Sequence, residues 1–450
     1  MLRSFRVENH KSFRDEAELS LLPAYDKSRP AVPVAGIFGA NASGKSNFLD
    51  ALRWLQTAVR ESYAQWEPGA GIPRTPFRLH SDVAAAPSCY CVEVLLDEGR
   101  YTYGVELDDK HVIEEWLYTY PHNRRRVIFE RSHGEVRLGS TVPDHRTRSE
   151  QLARQTRDNA LLLSVAAHND LTEVQAAYEW FRNHLRFTDD AEVAGPELLR
   201  RLSTDEQRPA LVALIAAADL GISDITTEGE RAAAFRSALR ETFGGQELMA
   251  MLEQVPDKQL AHAASFVLRD PTAAERLLEK VRESIGDRLV SRPTLRFYHG
   301  ESPVALSLDD QSAGTRHWIG LVSLALDAIS GGALMVVDEV DASLHPHLTA
   351  NLVNLFRDSE ANPHGAQLLF TTHDPTLLDD EVLARDEVWF VEKEPGSGAS
   401  RLYPLTDFHP RKNENVAGRY LAGGYGATPI LADYRFRRAV TDGRASDAAA

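Results

Sequence analysis

The 450-residue chain has little cysteine, no long apolar run and no excess of positive charge. Its two cysteines, Cys89 and Cys91, lie one residue apart, which excludes a disulfide scaffold and favours a reducing cytoplasm. No apolar run reaches about 18 residues, so we expect no membrane span. The opening MLRSFRVENHKSF alternates apolar and polar side chains, unlike a signal peptide. The net charge of −16 argues against a general coat on nucleic acid and leaves a local basic groove open.

Hydrophobic periodicity predicts strands at both ends of the chain and helices in its centre. Alternation over residues 2–7 and 17–21 predicts a hairpin, and residues 89–130 are typical of an antiparallel meander. Residues 150–290 are mainly helical in character. In the last third, buried strands alternate with helices, which predicts a parallel sheet.

The strongest motif is Gly39-Ala-Asn-Ala-Ser-Gly44-Lys45-Ser46, which matches G-x-x-x-x-G-K-[ST] between an apolar strand and an amphipathic helix. Glycines let backbone N–H groups approach phosphates, and the helix N-terminus adds a favourable dipole. Lys45 would bridge the β- and γ-phosphates of ATP, and the Ser46 hydroxyl would ligate Mg²⁺. The alternative is a chance glycine-rich turn. The candidate nucleotide-binding residues here are Gly39, Asn41, Ala42, Ser43, Gly44, Lys45, Ser46 and Asn47.

Two further strands end in polar residues. The apolar run 333–337 ends at Asp338 and Glu339, at the strand edge where α/β sheets bind ligands. Asp338 would hold Mg²⁺, and Glu339 would orient or deprotonate the attacking water; the alternative is two solvated acids. His373 follows the apolar run 367–372 and could bond the γ-phosphate and hold the hydrolytic water, or it could be an ordinary surface histidine.

These motifs, with Ser312-Ala-Gly314-Thr315 and Asp341-Ala-Ser-Leu-His-Pro346, resemble an ABC-type ATPase head. More narrowly, they resemble the stand-alone AAA-family ATPases of the RloA-like, overcoming-lysogenization-defect-like group, which is related to SMC and RecF heads. The resemblance implies an α/β P-loop NTPase with an antiparallel β subdomain and a helical insertion. We expect an ATPase lobe at 1–140, the insertion at 141–290, a second ATPase lobe at 291–410 and a C-terminal extension at 411–450.

The resemblance also implies a composite site. ATP would lie between two copies of the chain, in a homodimer or higher oligomer, with Ser312 and Gly314 touching the γ-phosphate across the interface and Asp341 linking the two sites. QSAGT stands where transporter heads have LSGGQ, which disfavours a transporter. The stretch 75–79, where the family places a glutamine, holds none; Gln56 and Gln65 lie too close to the phosphate loop.

The function implied is that of a Mg²⁺-dependent, ATP-hydrolysing switch or sensor in prokaryotic anti-phage defence, which controls a partner effector such as a nuclease. The chain itself offers no nuclease motif: no D-x-D follows His373, and Arg292 and His299 flank a predicted strand. One alternative is a RecF- or Rad50-like repair ATPase that binds DNA directly. Residues 121–157 hold nine arginines against four acids and could bind a phosphate backbone, or they could form a solvated hairpin edge that resists strand pairing. Another is a scaffold that ATP assembles with little turnover.

Overall fold

The chain divides into two compact units, one formed by residues 1–188 and 324–450 and the other by residues 189–323. The first unit therefore includes residues 141–188, which the sequence-based division places in the insertion. Most of the predicted helical insertion and the end of the C-terminal extension lie outside the described residues. The computed structural model describes residues 1–188, 208–218, 220–228, 294–300, 302, 304–411 and 414–429.

Within the described residues, the strands fall into three sheets, two in the first unit and one in the second. In chain order they are β1 (Leu2–Glu8), β2 (Ala17–Ser20), β3 (Val34–Phe38), β4 (Ser88–Leu96), β5 (Gly99–Leu107), β6 (Val112–Thr119), β7 (Arg126–Ser132), β8 (Glu135–Leu138), β9 (Leu185–Phe187), β10 (Ile222–Glu228), β11 (Thr294–His299), β12 (Ala305–Leu306), β13 (Leu334–Val337), β14 (Gln367–Thr372), β15 (Val388–Lys393) and β16 (Ser400–Pro404).

The first sheet is antiparallel, in the order β2-β1-β4-β5-β6-β7-β8. The predicted hairpin is confirmed, since β1 pairs with β2 and sets Phe5 opposite Leu19 and Val7 opposite Ala17. These four side chains are buried, as the alternation predicts. The predicted meander is also confirmed, because β4, β5, β6 and β7 pair in sequence.

The second sheet has the order β16-β15-β3-β14-β13-β9. The predicted parallel sheet is confirmed for its central strands: β3 runs parallel to β14 and β15, and β13 runs parallel to β14. The edge strand β16 pairs antiparallel with β15. Every residue of β3, β13 and β14 is buried, which explains their uninterrupted apolar sequences. The carboxyl ends of these strands meet at one edge of the sheet, and that edge positions the candidate site.

Helices of the first unit cover these sheets. The helix Lys45–Glu61 buries Phe48, Leu52, Leu55 and Val59 along one face, and Phe48 packs edge-on against Phe5 with ring centroids 5.3 Å apart. The other helices among its described residues are Ser81–Ala85, His145–Gln155, Leu162–His168, Thr172–Asn183, Pro346–Arg357 and Val416–Leu421, with 3-10 turns at Pro121–Asn123, Pro375–Leu378, Arg385–Glu387 and Leu405–Phe408.

The described part of the second unit holds the helix Arg208–Ala216 and the antiparallel sheet β10-β11-β12. The helix Ala313–Gly331 begins in this unit and lies in the last third of the chain, where the sequence predicts helices between buried strands. Among the described residues, no helix is both long and apolar enough to cross a bilayer.

Candidate nucleotide-binding site

The phosphate loop leaves β3 at Gly39 and enters the helix Lys45–Glu61 at its first residue. Two glycines let the chain make this tight turn. Gly44 has a φ of 116°, and a Cβ there would lie 2.3 Å from the Ser400 hydroxyl oxygen; a Cβ on Gly39 would lie 2.4 Å from the carbonyl oxygen of Val391. Glycine is therefore required at both positions by the packing of the loop against β15 and β16.

Lys45 is largely buried at the centre of this loop. Its Nζ donates to the carbonyl oxygens of Gly39, at 2.8 Å, and Ala40, at 3.3 Å, and lies 3.2 Å from His373 Nε2. Burial lowers the pKa of the Lys45 amine, and three nearby carboxylates act in the opposite direction. The amine thus lies between the loop and the acidic strand ends.

The end of β13 presents two exposed acids, Asp338 and Glu339. Glu339 has a φ of 51°, a left-handed conformation that non-glycine residues rarely adopt. The neighbouring strand β14 holds this bend: the Thr371 hydroxyl donates to Asp338 Oδ1 and accepts from the Glu339 N–H at 2.7 Å. The Val340 N–H donates to the Thr371 carbonyl oxygen at 3.0 Å.

His373 lies at the end of β14, beside these acids. Its Nε2 is 3.7 Å from Glu339 Oε1, and its backbone N–H donates to Asp341 Oδ2 at 3.3 Å. Asp341 Oδ1 is buried and has no hydrogen-bond partner in the described part of the chain. The structure therefore brings four of the predicted site residues together: Lys45, Glu339, His373 and Asp341.

A hydroxyl network supports the loop from behind. Ser400, on β16, donates to the carbonyl oxygen of Ser43 and contacts the Ser12 hydroxyl at 2.8 Å. Asn47 donates its amide N–H to Ser12 at 2.7 Å. Asn47, predicted to bind nucleotide, thus has its side-chain nitrogen engaged in this support, while Asn41, Ala42 and Ser46 are exposed along the loop.

Ser312 and Gly314 belong to the second unit. The Ser312 hydroxyl accepts from the Thr315 N–H at 3.1 Å and contacts the Thr315 hydroxyl at 2.8 Å. It therefore caps the helix Ala313–Gly331, whose first turn contains Gly314. The exposed start of this helix carries the positive end of a helix dipole.

The residues present fit a magnesium nucleotide. The loop offers backbone N–H groups and a buried ammonium to phosphates, and the Ser43 hydroxyl is buried with no partner among the described residues. The Ser46 hydroxyl and the Asp338 carboxylate are exposed oxygen ligands of the kind that Mg²⁺ prefers.

Sequence reasoning assigns no role to three supporting residues: Thr371, Ser400 and Ser12. Their contacts join segments far apart in the chain, so local spacing carries no signal for them. The structure also shows what Gln56 contacts: its amide donates to the carbonyl oxygens of Phe181 and Leu185, both at 2.7 Å, inside the core.

The profile of one protein family, described as "AAA domain, putative AbiEii toxin, Type IV TA system", matches residues 34–379, which run from β3 past His373. The chain matches none of the curated proteins compared. Among solved structures it is similar to an SMC head domain from Thermotoga maritima, with 12% identity, 90% of this chain and 98% of that chain covered, and a TM-score of 0.34. It is also similar to an Smc head domain bound to the C-terminal domain of ScpA, from Pyrococcus furiosus, with 13% identity, 91% of this chain and 97% of that chain covered, and a TM-score of 0.38.

Proposed function

Because the chain belongs to the AAA-domain family that matches residues 34–379, we propose that it is an ABC-type, Mg²⁺-dependent ATPase that acts as a switch or sensor. It hydrolyses ATP to ADP and phosphate in a site completed by a second copy of the chain. It controls a partner effector, such as a nuclease, in prokaryotic anti-phage defence.

One observation supports the ATPase most directly: a cation, a carboxylate and an imidazole converge on the phosphate loop. Lys45 Nζ lies 3.2 Å from His373 Nε2, which in turn lies 3.7 Å from Glu339 Oε1. Phosphoryl transfer requires positive charge at the transferred group and a side chain that positions the nucleophile. These three groups supply both within a few ångströms.

The roles follow from position. Lys45 neutralises phosphate charge, while Ser46 and Asp338 would hold Mg²⁺, which supplies charge neutralisation at the phosphates when bound. Glu339 follows Asp338 directly in the chain, and it orients or deprotonates the attacking water. His373 lies between Lys45 and Glu339, where it can hold that water or donate to the γ-phosphate.

The second copy would supply Ser312 and Gly314. Support comes from the exposed, capped start of the helix Ala313–Gly331, whose dipole suits a phosphate group. Asp341 would link the two sites, since its Oδ2 binds the His373 N–H while its buried Oδ1 has no partner in the described residues. The defence role is supported by the family description, which names a toxin and a TA system.

The test measures phosphate release and light-scattering mass for wild type and Glu339→Gln, each with and without Mg-ATP. We expect the variant to lose turnover by a factor of about 10² or more, as groups that position the nucleophile do. We also expect it to gain an ATP-dependent larger assembly, because bound ATP persists. Glu360→Gln, at an exposed position away from the site, is the matched control and should behave as wild type.

The outcomes separate the alternatives. If turnover survives Glu339→Gln, or if the mass never responds to ATP, the composite site is wrong. ATP-driven assembly with negligible turnover in wild type would favour the scaffold. Turnover stimulated by DNA, with a steep salt dependence, would favour a repair ATPase that binds DNA directly.

A further inference from the structure

The Thr371 hydroxyl joins the two acids of the candidate site through a single oxygen atom. Thr371 is completely buried, and its Oγ1 donates its proton to Asp338 Oδ1 while it accepts the Glu339 N–H at 2.7 Å. A hydroxyl has one proton to donate and lone pairs to accept, so both functions are used. No other residue type at this position keeps both bonds at this length except serine.

Each bond constrains a different property of the site. The bond to Asp338 Oδ1 fixes the carboxylate plane, so that Oδ2 keeps a defined direction at the exposed strand end. The bond from the Glu339 N–H stabilises a backbone with a φ of 51°, which would otherwise be unfavourable. The Val340 N–H adds a third bond, to the Thr371 carbonyl oxygen at 3.0 Å.

From this arrangement, which rests on the proposed function, we infer that Thr371 is a positioning residue that sets both the metal-binding direction of Asp338 and the water-facing direction of Glu339. Partners that orient a metal ligand commonly contribute 10–100-fold to metal affinity. Thr371 is therefore expected to affect metal binding and turnover, and to leave metal-free nucleotide binding unchanged.

Neighbouring Thr372 provides a matched control. It is equally buried, but its Oγ1 accepts from the Asp374 N–H at 3.0 Å and makes no contact with the acids among the described residues. Thr371→Val and Thr372→Val remove the same atom from adjacent positions on one strand. A general effect of losing a buried hydroxyl would therefore appear in both variants.

The experiment compares wild type, Thr371→Val, Thr371→Ser and Thr372→Val. Binding of a fluorescent ATP analogue is titrated in EDTA and in Mg²⁺, Mn²⁺ binding to the ATP-loaded protein is followed by electron paramagnetic resonance, and turnover is measured against Mg²⁺ concentration. For Thr371→Val we expect unchanged binding in EDTA, Mn²⁺ affinity about tenfold weaker or more, and a lower maximal turnover. Thr371→Ser should restore Mn²⁺ affinity, and Thr372→Val should resemble wild type.

Three results would overturn the inference: wild-type Mn²⁺ affinity in Thr371→Val, failure of Thr371→Ser to restore it, or an equal loss in Thr372→Val. If Thr371→Val does not fold, as judged by circular dichroism, Thr371→Ala is held to the same criteria. A wild type that binds no Mg-ATP contradicts the proposed function itself, whereas a wild type that binds it and an unaffected Thr371→Val contradict this inference alone.

Discussion

The hydroxyl of Ser400 donates a hydrogen bond to the carbonyl oxygen of Ser43, so β16, the antiparallel edge strand of the second sheet, holds the phosphate loop from behind. The Ser400 N–H also donates to the Ser12 carbonyl oxygen at 2.7 Å, which ties the strand to the turn after β1. Loop geometry decides how its backbone N–H groups point, and a preorganised anion site loses less free energy on binding. Under the proposed function, the position of β16 should therefore affect phosphate binding.

We predict that Ser400→Ala weakens ATP binding by about fivefold or more. The substitution leaves the buried Ser43 carbonyl without this donor, and an unsatisfied buried group costs about 1–3 kcal/mol. The affinity is measured by titration of a fluorescent ATP analogue, together with the midpoint of thermal unfolding.

Ser397→Ala is the matched control, because Ser397 lies in the turn before β16 and its hydroxyl donates to Glu394 instead of the loop. If Ser400→Ala binds ATP as tightly as Ser397→Ala and wild type do, the network does not shape the loop.

Features set by neighbouring residues could be predicted, because alternation, glycine spacing and apolar runs act over a few positions. The hairpin of β1 and β2 and the loop between β3 and Lys45 belong to this class. β9 could not be predicted, since only three residues form it and its partner β13 lies far along the chain. Residues 141–188, which include β9, belong to the first unit, beyond the boundary drawn from sequence.

In the candidate site, too, local sequence predicts some features and distant contacts decide others. The sequence has two threonines before His373, and nothing local distinguishes them. Thr371 faces Asp338, whereas Thr372 bonds the Asp374 N–H, because successive residues of a strand point to opposite faces. The register of β14 against β13 decides which threonine reaches the acids, and that register is a tertiary property.

A second prediction concerns a buried carboxyl group away from the site. Burial raises the pKa of Glu387 from 4.5 to about 7, and the Arg357 guanidinium, whose Nε lies 3.3 Å from Glu387 Oε2, opposes the shift. Because the folded-state pKa exceeds the unfolded one, the folded chain binds more protons between these values. The contribution of Glu387 to the free energy of unfolding is therefore greatest below pH 4.5 and falls as the pH rises through 7.

Glu387→Gln removes this titration and keeps an oxygen that can accept the Ala384 N–H. Between pH 5 and pH 8 the wild type should lose free energy of unfolding that the variant keeps. The difference, variant minus wild type, should therefore increase by on the order of 1–3 kcal/mol from pH 5 to pH 8. Urea unfolding of both proteins at the two pH values measures the difference. An equal difference at both pH values would contradict the prediction, and the exposed Glu360→Gln should show none.

A third prediction concerns Gln56, which lies on the helix Lys45–Glu61 that follows the phosphate loop. Its amide bridges the carbonyl oxygens of Phe181 and Leu185, so it joins the helix Lys45–Glu61 to the helix Thr172–Asn183 and to β9. Gln56→Leu leaves two buried acceptors without this donor and should lower the free energy of unfolding by about 2–4 kcal/mol. ATP affinity should stay unchanged, because the amide faces the core.

Urea unfolding and titration of a fluorescent ATP analogue distinguish the two roles of Gln56. Gln65→Leu, at an exposed position four residues past the end of the same helix, is the control and should change neither quantity. Loss of ATP binding by Gln56→Leu at unchanged stability would place this glutamine in the nucleotide site. The predicted pattern, lower stability with ATP affinity intact, would mean that Gln56 transmits nothing to the γ-phosphate and serves to hold β9 against the core.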